Sequence, residues 1–166
     1  MGRNSRRATI LKVAEVLGMH LDHLLQSGPA RDLPYAVHNL QDDAWFDLAK
    51  FDDGKLPQAA QSEPFERRKL SESNGTVPLN ILASRLENGR IKPTTLELYG
   101  RSSARSHSGE EHVFVLEGTA KVTVGDKTIV LRQNESVTFW SAEPHAYAPA
   151  EGSSLPVRLL SVRVDT

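Results

Sequence analysis

The chain has no cysteine, which excludes disulfides, thiolate metal ligands and cysteine nucleophiles. No apolar stretch approaches the ~20 residues that a membrane span needs. The basic opening lacks the apolar core of a secretory signal, so the expectation is a cytoplasmic protein with no membrane partner. An excess of charge is also missing: the formal net charge is -1, which says nothing about nucleic acid for the chain as a whole. Its distribution is uneven. Residues 1–31 carry five Lys/Arg against two Asp/Glu, residues 32–75 carry five against nine, and the remainder carries ten of each. At 166 residues the chain has room for one full domain and a small appendage.

The richest stretch is His107 to Gly118, His-Ser-Gly-Glu-Glu-His-Val-Phe-Val-Leu-Glu-Gly, answered further on by Pro144-His145. A polar turn feeds an apolar run that ends at a glycine, the pattern of a buried strand closed by a turn. Side chains alternate across a strand, so Glu111, Val113 and Val115 share one face, and His112 and Phe114 the other. His107 precedes the strand, within reach of the same pocket mouth as Glu111. With His145 these residues make a set of two histidines and one carboxylate, which leaves coordination positions open on a non-haem iron. Alone, a histidine before a strand is usually a surface residue and Glu111 a solvated strand end; together they favour a divalent metal. Both imidazoles must be neutral and the carboxylate ionised to bind it. Fe(II) is the favoured ion, while Mn, Ni, Co or Zn would accept the same donors. His112 is expected to pack or face solvent, and Glu110 to be solvated.

The spacing His-x3-Glu-x6-Gly, followed by Pro-His, resembles the two cupin motifs. In the usual first motif a further histidine stands where this chain has Arg105, and an always-protonated guanidinium cannot replace it as a ligand. The remaining three positions are similar to the metal triad of hydroxypropylphosphonate epoxidase, a helix-turn-helix-plus-cupin enzyme, as are Phe114–Gly118 and Pro144–Tyr147. The resemblance covers most of the chain, loosely outside these motifs. It weakens around the substrate: that enzyme is tyrosine-rich where this chain reads Val-Pro-Leu-Asn-Ile-Leu (77–82), and Ala104 stands in place of its asparagine.

Residues 10–25, Ile-Leu-x-Val-Ala-x-Val-Leu-Gly-Met-x-Leu-Asp-x-Leu-Leu, place apolar residues near helical spacing with a glycine stop at Gly18. They resemble the last two helices of a lambda-repressor-type helix-turn-helix domain, as in XRE-type regulators with a C-terminal cupin. The base-reading helix of such a domain would precede Met1, so DNA is an expected partner only if the full-length protein carries one. Arg3, Arg6 and Arg7 could contact phosphates, but read more simply as a solvated terminus. The expected organisation is a truncated helix-turn-helix remnant over 1–28, a connector over 29–75 and a cupin domain over 76–166. In the connector, Ala44–Leu48 would dock apolar area as a strand or helix, and Glu66-Arg67-Arg68-Lys69 would be a solvated face.

From Val77 onward the pattern is one of short strands: 80–86, 94–99, 111–117, 120–124, 128–131, 136–140, a strand at 145–146 and 157–164. Asn88-Gly89, Gly125-Asp126 and Gln133–Glu135 mark turns. The expected fold class is mainly β, a cupin jelly-roll barrel with a short N-terminal helical remnant. Asn134 stands where cupins usually carry glycine and tolerates the left-handed conformation. Leu98, Val113, Val115, Phe139, Tyr147 and Leu160 are expected to point inward and make a mostly apolar pocket, with Tyr147 and Arg105 as ligand-binding residues. Arg105 could take a carboxylate or phosphonate bidentately; as a loop arginine in water it would do nothing. Three functions compete: the small-molecule-sensing, metal-binding cupin of a regulator, a mononuclear non-haem iron oxygenase or epoxidase, and a metal-free binder. The first is preferred. The leucines Leu17, Leu21, Leu24 and Leu25 cannot be covered by two short helices alone, so a homodimer or tetramer is expected.

Overall fold

The computed structural model describes residues 34–50, 54–86 and 88–164. The N-terminal helical pattern, its arginines and its leucines lie outside these residues.

Among the described residues, nine strands make two antiparallel sheets. They are β1 (Trp45–Asp47), β2 (Pro78–Ile81), β3 (Ile91–Leu98), β4 (Glu110–Glu117), β5 (Thr119–Val124), β6 (Lys127–Arg132), β7 (Ser136–Trp140), β8 (His145–Pro149) and β9 (Val157–Val164). One sheet runs β1-β2-β3-β9-β4-β7 and the other β6-β5-β8. The architecture is the mainly β cupin barrel expected from the sequence. Inward positions follow the two-residue period of each strand: Leu96 and Leu98, Val113 and Val115, Ala120 and Val122, Val157 and Leu159 are all buried and pack in one cluster. Each valine or leucine among them, fully buried, contributes about 1.5–3 kcal/mol of transfer free energy.

Two turns depend on backbone conformation. Gly118, at φ +82°, ends β4 where a Cβ would lie 2.9 Å from the Ser153 hydroxyl and 3.0 Å from a Val157 methyl. Asn134 takes the left-handed conformation, φ 67°, between β6 and β7.

The stretch read as a connector is more structured than the sequence suggested. Residues from Tyr35 onward form one compact unit with the barrel. β1 pairs with β2, and the buried Asn80 side chain ties the two ends together by accepting from the Ala44 amide and donating to Asp43. Phe46 enters the barrel core, while Trp45 faces the other way against Leu56, Ala60 and Leu70. Two helices lie there, α1 (Gln58–Ser62) and α2 (Pro64–Asn74). Proline opens α2 and the left-handed Gly75 closes it.

The charged run 66–69 is not wholly solvated. Arg67 is buried, forks onto the Glu97 carboxylate at 2.8 and 3.2 Å, and stacks 3.9 Å over Trp45. The first predicted strand also ends early, at Ile81 rather than Leu86. The Leu82 amide donates to the Pro93 carbonyl, but Pro93 has no N–H to return the bond, so the ladder stops.

Candidate metal centre

Glu111 lies on β4, and its neighbour across the sheet is Arg163 on β9. The other sheet contributes His145 and Tyr147 from β8, two residues apart and therefore on one face. The loop between β3 and β4 contributes Arg105 and His107. It runs beside β8 as an added edge: the Arg105 amide donates to the His145 carbonyl, the His145 amide returns the bond, and the Ser102 amide donates to the Tyr147 carbonyl. The His107 amide donates to the Ser141 carbonyl.

These elements bring His107, Glu111 and His145 together, with one donor atom from each within 4.8 Å of the others. His107 Nε2 is 3.0 Å and His145 Nε2 3.4 Å from the same carboxylate oxygen, Oε2 of Glu111. The other oxygen, Oε1, accepts 2.6 Å hydrogen bonds from the Tyr147 and Ser161 hydroxyls. Each imidazole turns Nδ1 toward a backbone carbonyl, His107 toward Ser108 at 3.0 Å and His145 toward Glu143 at 2.9 Å. Nδ1 donating to a carbonyl selects the tautomer whose Nε2 carries a lone pair. Two lone pairs then face one carboxylate oxygen, and only a proton or a cation between them relieves the repulsion. The donor set fits a metal on chemistry, and the 3.0 and 3.4 Å spacings are close to the ~3 Å separating two donors set at right angles about an ion at ~2.1 Å.

Without an ion, a proton on Nε2 takes that place as a hydrogen bond to Glu111. Burial would raise the Glu111 carboxyl, but hydrogen bonds with His107, His145, Ser161 and Tyr147 overcome it and hold the group well below the usual carboxylate range. His145 is raised: burial opposes its charge, while Glu111 and the Glu143 carbonyl favour it. Tyr147 is pushed far above its ordinary value by burial and by Glu111, so its hydroxyl stays a donor.

The site opens on a cavity of about 360 Å³ whose lining includes His107, Glu111, His145 and Tyr147. The wall is more polar than the sequence suggested, because Thr94, three serines of the 102–106 loop, Ser161 and two arginines, Arg105 and Arg163, contribute to it. Leu98, Val113 and Val115 fill the core and do not line the cavity. Phe139 stacks obliquely on His145 at 5.0 Å. Leu160 is out of register with the inward face, which on β9 belongs to Val157, Leu159 and Ser161, and it pairs with Phe114 on the outer side. Tyr147 lines the cavity with its hydroxyl committed to Glu111. His112 bonds to Thr138 on the face away from Glu111, and Glu110 is exposed.

Sequence reading missed Ser161 and Arg163. They lie about fifty positions from Glu111, and only the β4–β9 pairing brings them in; the alternation 157, 159, 161, 163 along β9 was the available signal.

Residues 95–163 match the family model described as cupin domain. No curated protein matches the chain. Among solved structures, the chain is similar to the Fe(II) form of HppE, with a TM-score of 0.54 at 20% identity over 94% of this chain and 74% of that one. It is also similar to the cupin domain of an XRE family transcriptional regulator from Enterobacter cloacae, with a TM-score of 0.49 at 23% identity over 54% and 97% of the two chains. A cupin superfamily protein from Desulfitobacterium hafniense gives 0.47 at 20% identity over 67% and 90%. Identities this low speak to the fold alone. The chain therefore carries a cupin domain in which two histidines and a glutamate, drawn from both sheets, form a cluster able to hold a metal ion.

Proposed function

We propose that this chain is the metal-binding, small-molecule-sensing cupin of a helix-turn-helix/cupin regulator-like protein. The observation that carries the reading is the convergence of two Nε2 atoms and one carboxylate oxygen on the wall of a cavity large enough for a small ligand. His107, Glu111 and His145 would hold one divalent ion, Fe(II) by preference. Bound there, the ion would supply Lewis acidity and coordination positions for a ligand from the cavity. Tyr147 and Ser161 orient the carboxylate by occupying Oε1, and the Ser108 and Glu143 carbonyls orient the rings.

The test is metal analysis of anaerobically purified protein. One ion per chain is expected, with loss in His145→Ala. Equal content in wild type and variant would overturn the reading.

A second reading, a mononuclear non-haem iron oxygenase, is favoured by the same triad, because three protein ligands leave positions for both a substrate and dioxygen. Oxygen uptake by the Fe(II)-loaded chain that depends on an added small molecule and disappears in His107→Ala would select the enzyme over the sensor.

Contact with DNA is proposed only for a full-length protein carrying a base-reading helix. Self-association through the leucines at 17–25 is likewise a proposal. Light scattering at micromolar concentration should give a dimer or tetramer mass, and a monomer mass would refute it.

A further inference from the structure

The outer face of the larger sheet is closed over at one side and open at the other. Trp45, Asn80, Thr95, Leu160 and Phe114 stand side by side on β1, β2, β3, β9 and β4. At the β1 end of this row the helices pack on the sheet: Trp45 is 3% exposed against Ala60 and Leu70, and Arg67 of α2 reaches Glu97 of β3. At the β4 end Phe114 and Leu160 are only half-buried.

Two further rows lie beside it on β3, β9, β4 and β7. Ile91, Val164 and Trp140 share one with Glu110, and Val162 lies in the other next to His112. Ile91 is 58% exposed and Trp140 66%. Glu110 is the one carboxylate in these rows across the four strands, and no lysine or arginine stands in them. An antiparallel sheet with one face toward water ordinarily alternates apolar-in and polar-out. The second half of β9 reverses this: Ser161 and Arg163 point inward to the cavity, and Leu160, Val162 and Val164 point outward. A contiguous outer patch of this kind marks an interaction surface.

Size and charge name the occupant. Four strands about 4.8 Å apart, with residues at about 3.4 Å spacing along each, make a face of roughly 500 Å². Two such faces laid together bury about 1,000 Å², the size at which specific interfaces begin. A strongly charged partner would find only Glu110 to pair with. A two-fold contact between identical faces asks instead for self-complementarity, which rows of apolar side chains supply.

We propose that this face is a two-fold interface with a second copy of the chain, the two sheets packing about 10 Å apart with Phe114, Leu160 and Val162 at the centre. A two-fold axis running across the strands keeps the two Glu110 carboxylates at opposite ends of the contact. The interface does not depend on the metal, and it is a different surface from the leucines at 17–25. A chain with both would close into a dimer of dimers.

The experiment uses the full chain, whose two tryptophans report on different places: Trp45 is buried within the fold, and Trp140 lies on the face. Sedimentation and iodide quenching of tryptophan fluorescence are followed together over a dilution series. The mass should double with Kd of about 10 µM or tighter, and Trp140 should lose its access to iodide over the same concentrations. Val162→Asp should weaken the association about 30-fold or more, because each copy then sets an unpaired carboxylate in an apolar contact.

If Val162→Asp does not fold by circular dichroism, Ile91→Asp carries the test, since that side chain already meets water in the single chain. Association unchanged in the folded face variants but broken by Leu21→Asp with Leu24→Asp would assign assembly to the leucines and overturn the interface. Trp140 shielded from iodide in a monomer would assign the cover to residues 1–33. Trp140 accessible in a monomer at every concentration would leave the face to a different protein. Either result overturns the two-fold contact.

Discussion

The Tyr147 hydroxyl donates a 2.6 Å hydrogen bond to Oε1 of Glu111, linking β8 of one sheet to β4 of the other. With Ser161 on the same oxygen, this bond leaves Oε2 alone to face the two imidazoles. The carboxylate is thus presented through one oxygen. Tyr147→Phe keeps the ring and removes the bond, and the carboxylate should lose part of its fixed orientation. Metal affinity should fall roughly 10- to 100-fold with the fold intact, in the range of outer hydrogen-bond losses at metal sites. Competition against a chelator of known affinity measures this; an unchanged constant would show that Tyr147 does not position Glu111.

The stripped protein and the metal-loaded protein should respond to pH in opposite directions. His145 is raised above its ordinary 6.5, so its contribution to stability is complete below that value and is lost as pH rises through the folded one. Glu111 is depressed below its ordinary 4.5, so its contribution is present above 4.5 and is lost as pH falls through the folded value. The stripped protein should therefore melt highest between these limits and lose stability as pH rises past 6.5 and through the raised His145 value. The loaded protein should gain over the same interval, because the ion competes with the proton for Nε2. Parallel melting curves in the two forms would contradict this.

Arg67 and Glu97 form a buried, bidentate pair at the face where α2 meets β3. Removing one partner leaves the other charged and buried. Glu97→Ala should destabilise the chain by about 3–5 kcal/mol, read as a shift in the denaturant midpoint. Arg67→Met with Glu97→Leu should recover much of that loss. Failure of the double variant to exceed the single one would mean that the pair, not the isolated charge, carries the energy.

Gly118→Ala should cost about 1–2 kcal/mol for the left-handed backbone alone. Contacts of the new Cβ with Ser153 and Val157 add to this cost. Gly152→Ala is the control: it shares a positive φ but has nothing within 4 Å of its Cβ, so it should cost less. Equal losses in thermal unfolding would assign the whole effect to the backbone.

What the sequence shows of this molecule follows the distance over which it encodes each feature. His107 and Glu111 are four residues apart, and a strand's alternation alone places Glu111 on the side of Val113 and Val115. Pro144-His145 is legible as a motif. The alternation along β9 puts Ser161 and Arg163 on the face of Val157 and Leu159, but nothing in the sequence says that β9 lies beside β4. Leu160 shows the cost of a one-residue slip in register: Leu159 and Leu160 are adjacent and both apolar, so neither gives a sign of its face until its partners are known. α1 and α2 were hidden because their stretch is polar, and the helices are held by Trp45, Leu56, Ala60 and the Arg67–Glu97 pair rather than by a regular apolar stripe.

The loop that carries Arg105 and His107 is stitched to β8 by main-chain bonds, while Glu111 and Arg163 ride on the opposite sheet. The centre therefore sits on the seam between two separately built halves. Whatever occupies it acts as a rivet across that seam, and emptying it would loosen the join before it loosened either half. Amide exchange at Ser102, Arg105 and His107 would register that loosening first, well ahead of the buried rungs of β4 and β9. A site placed there turns occupancy into stiffness without any strand being rearranged.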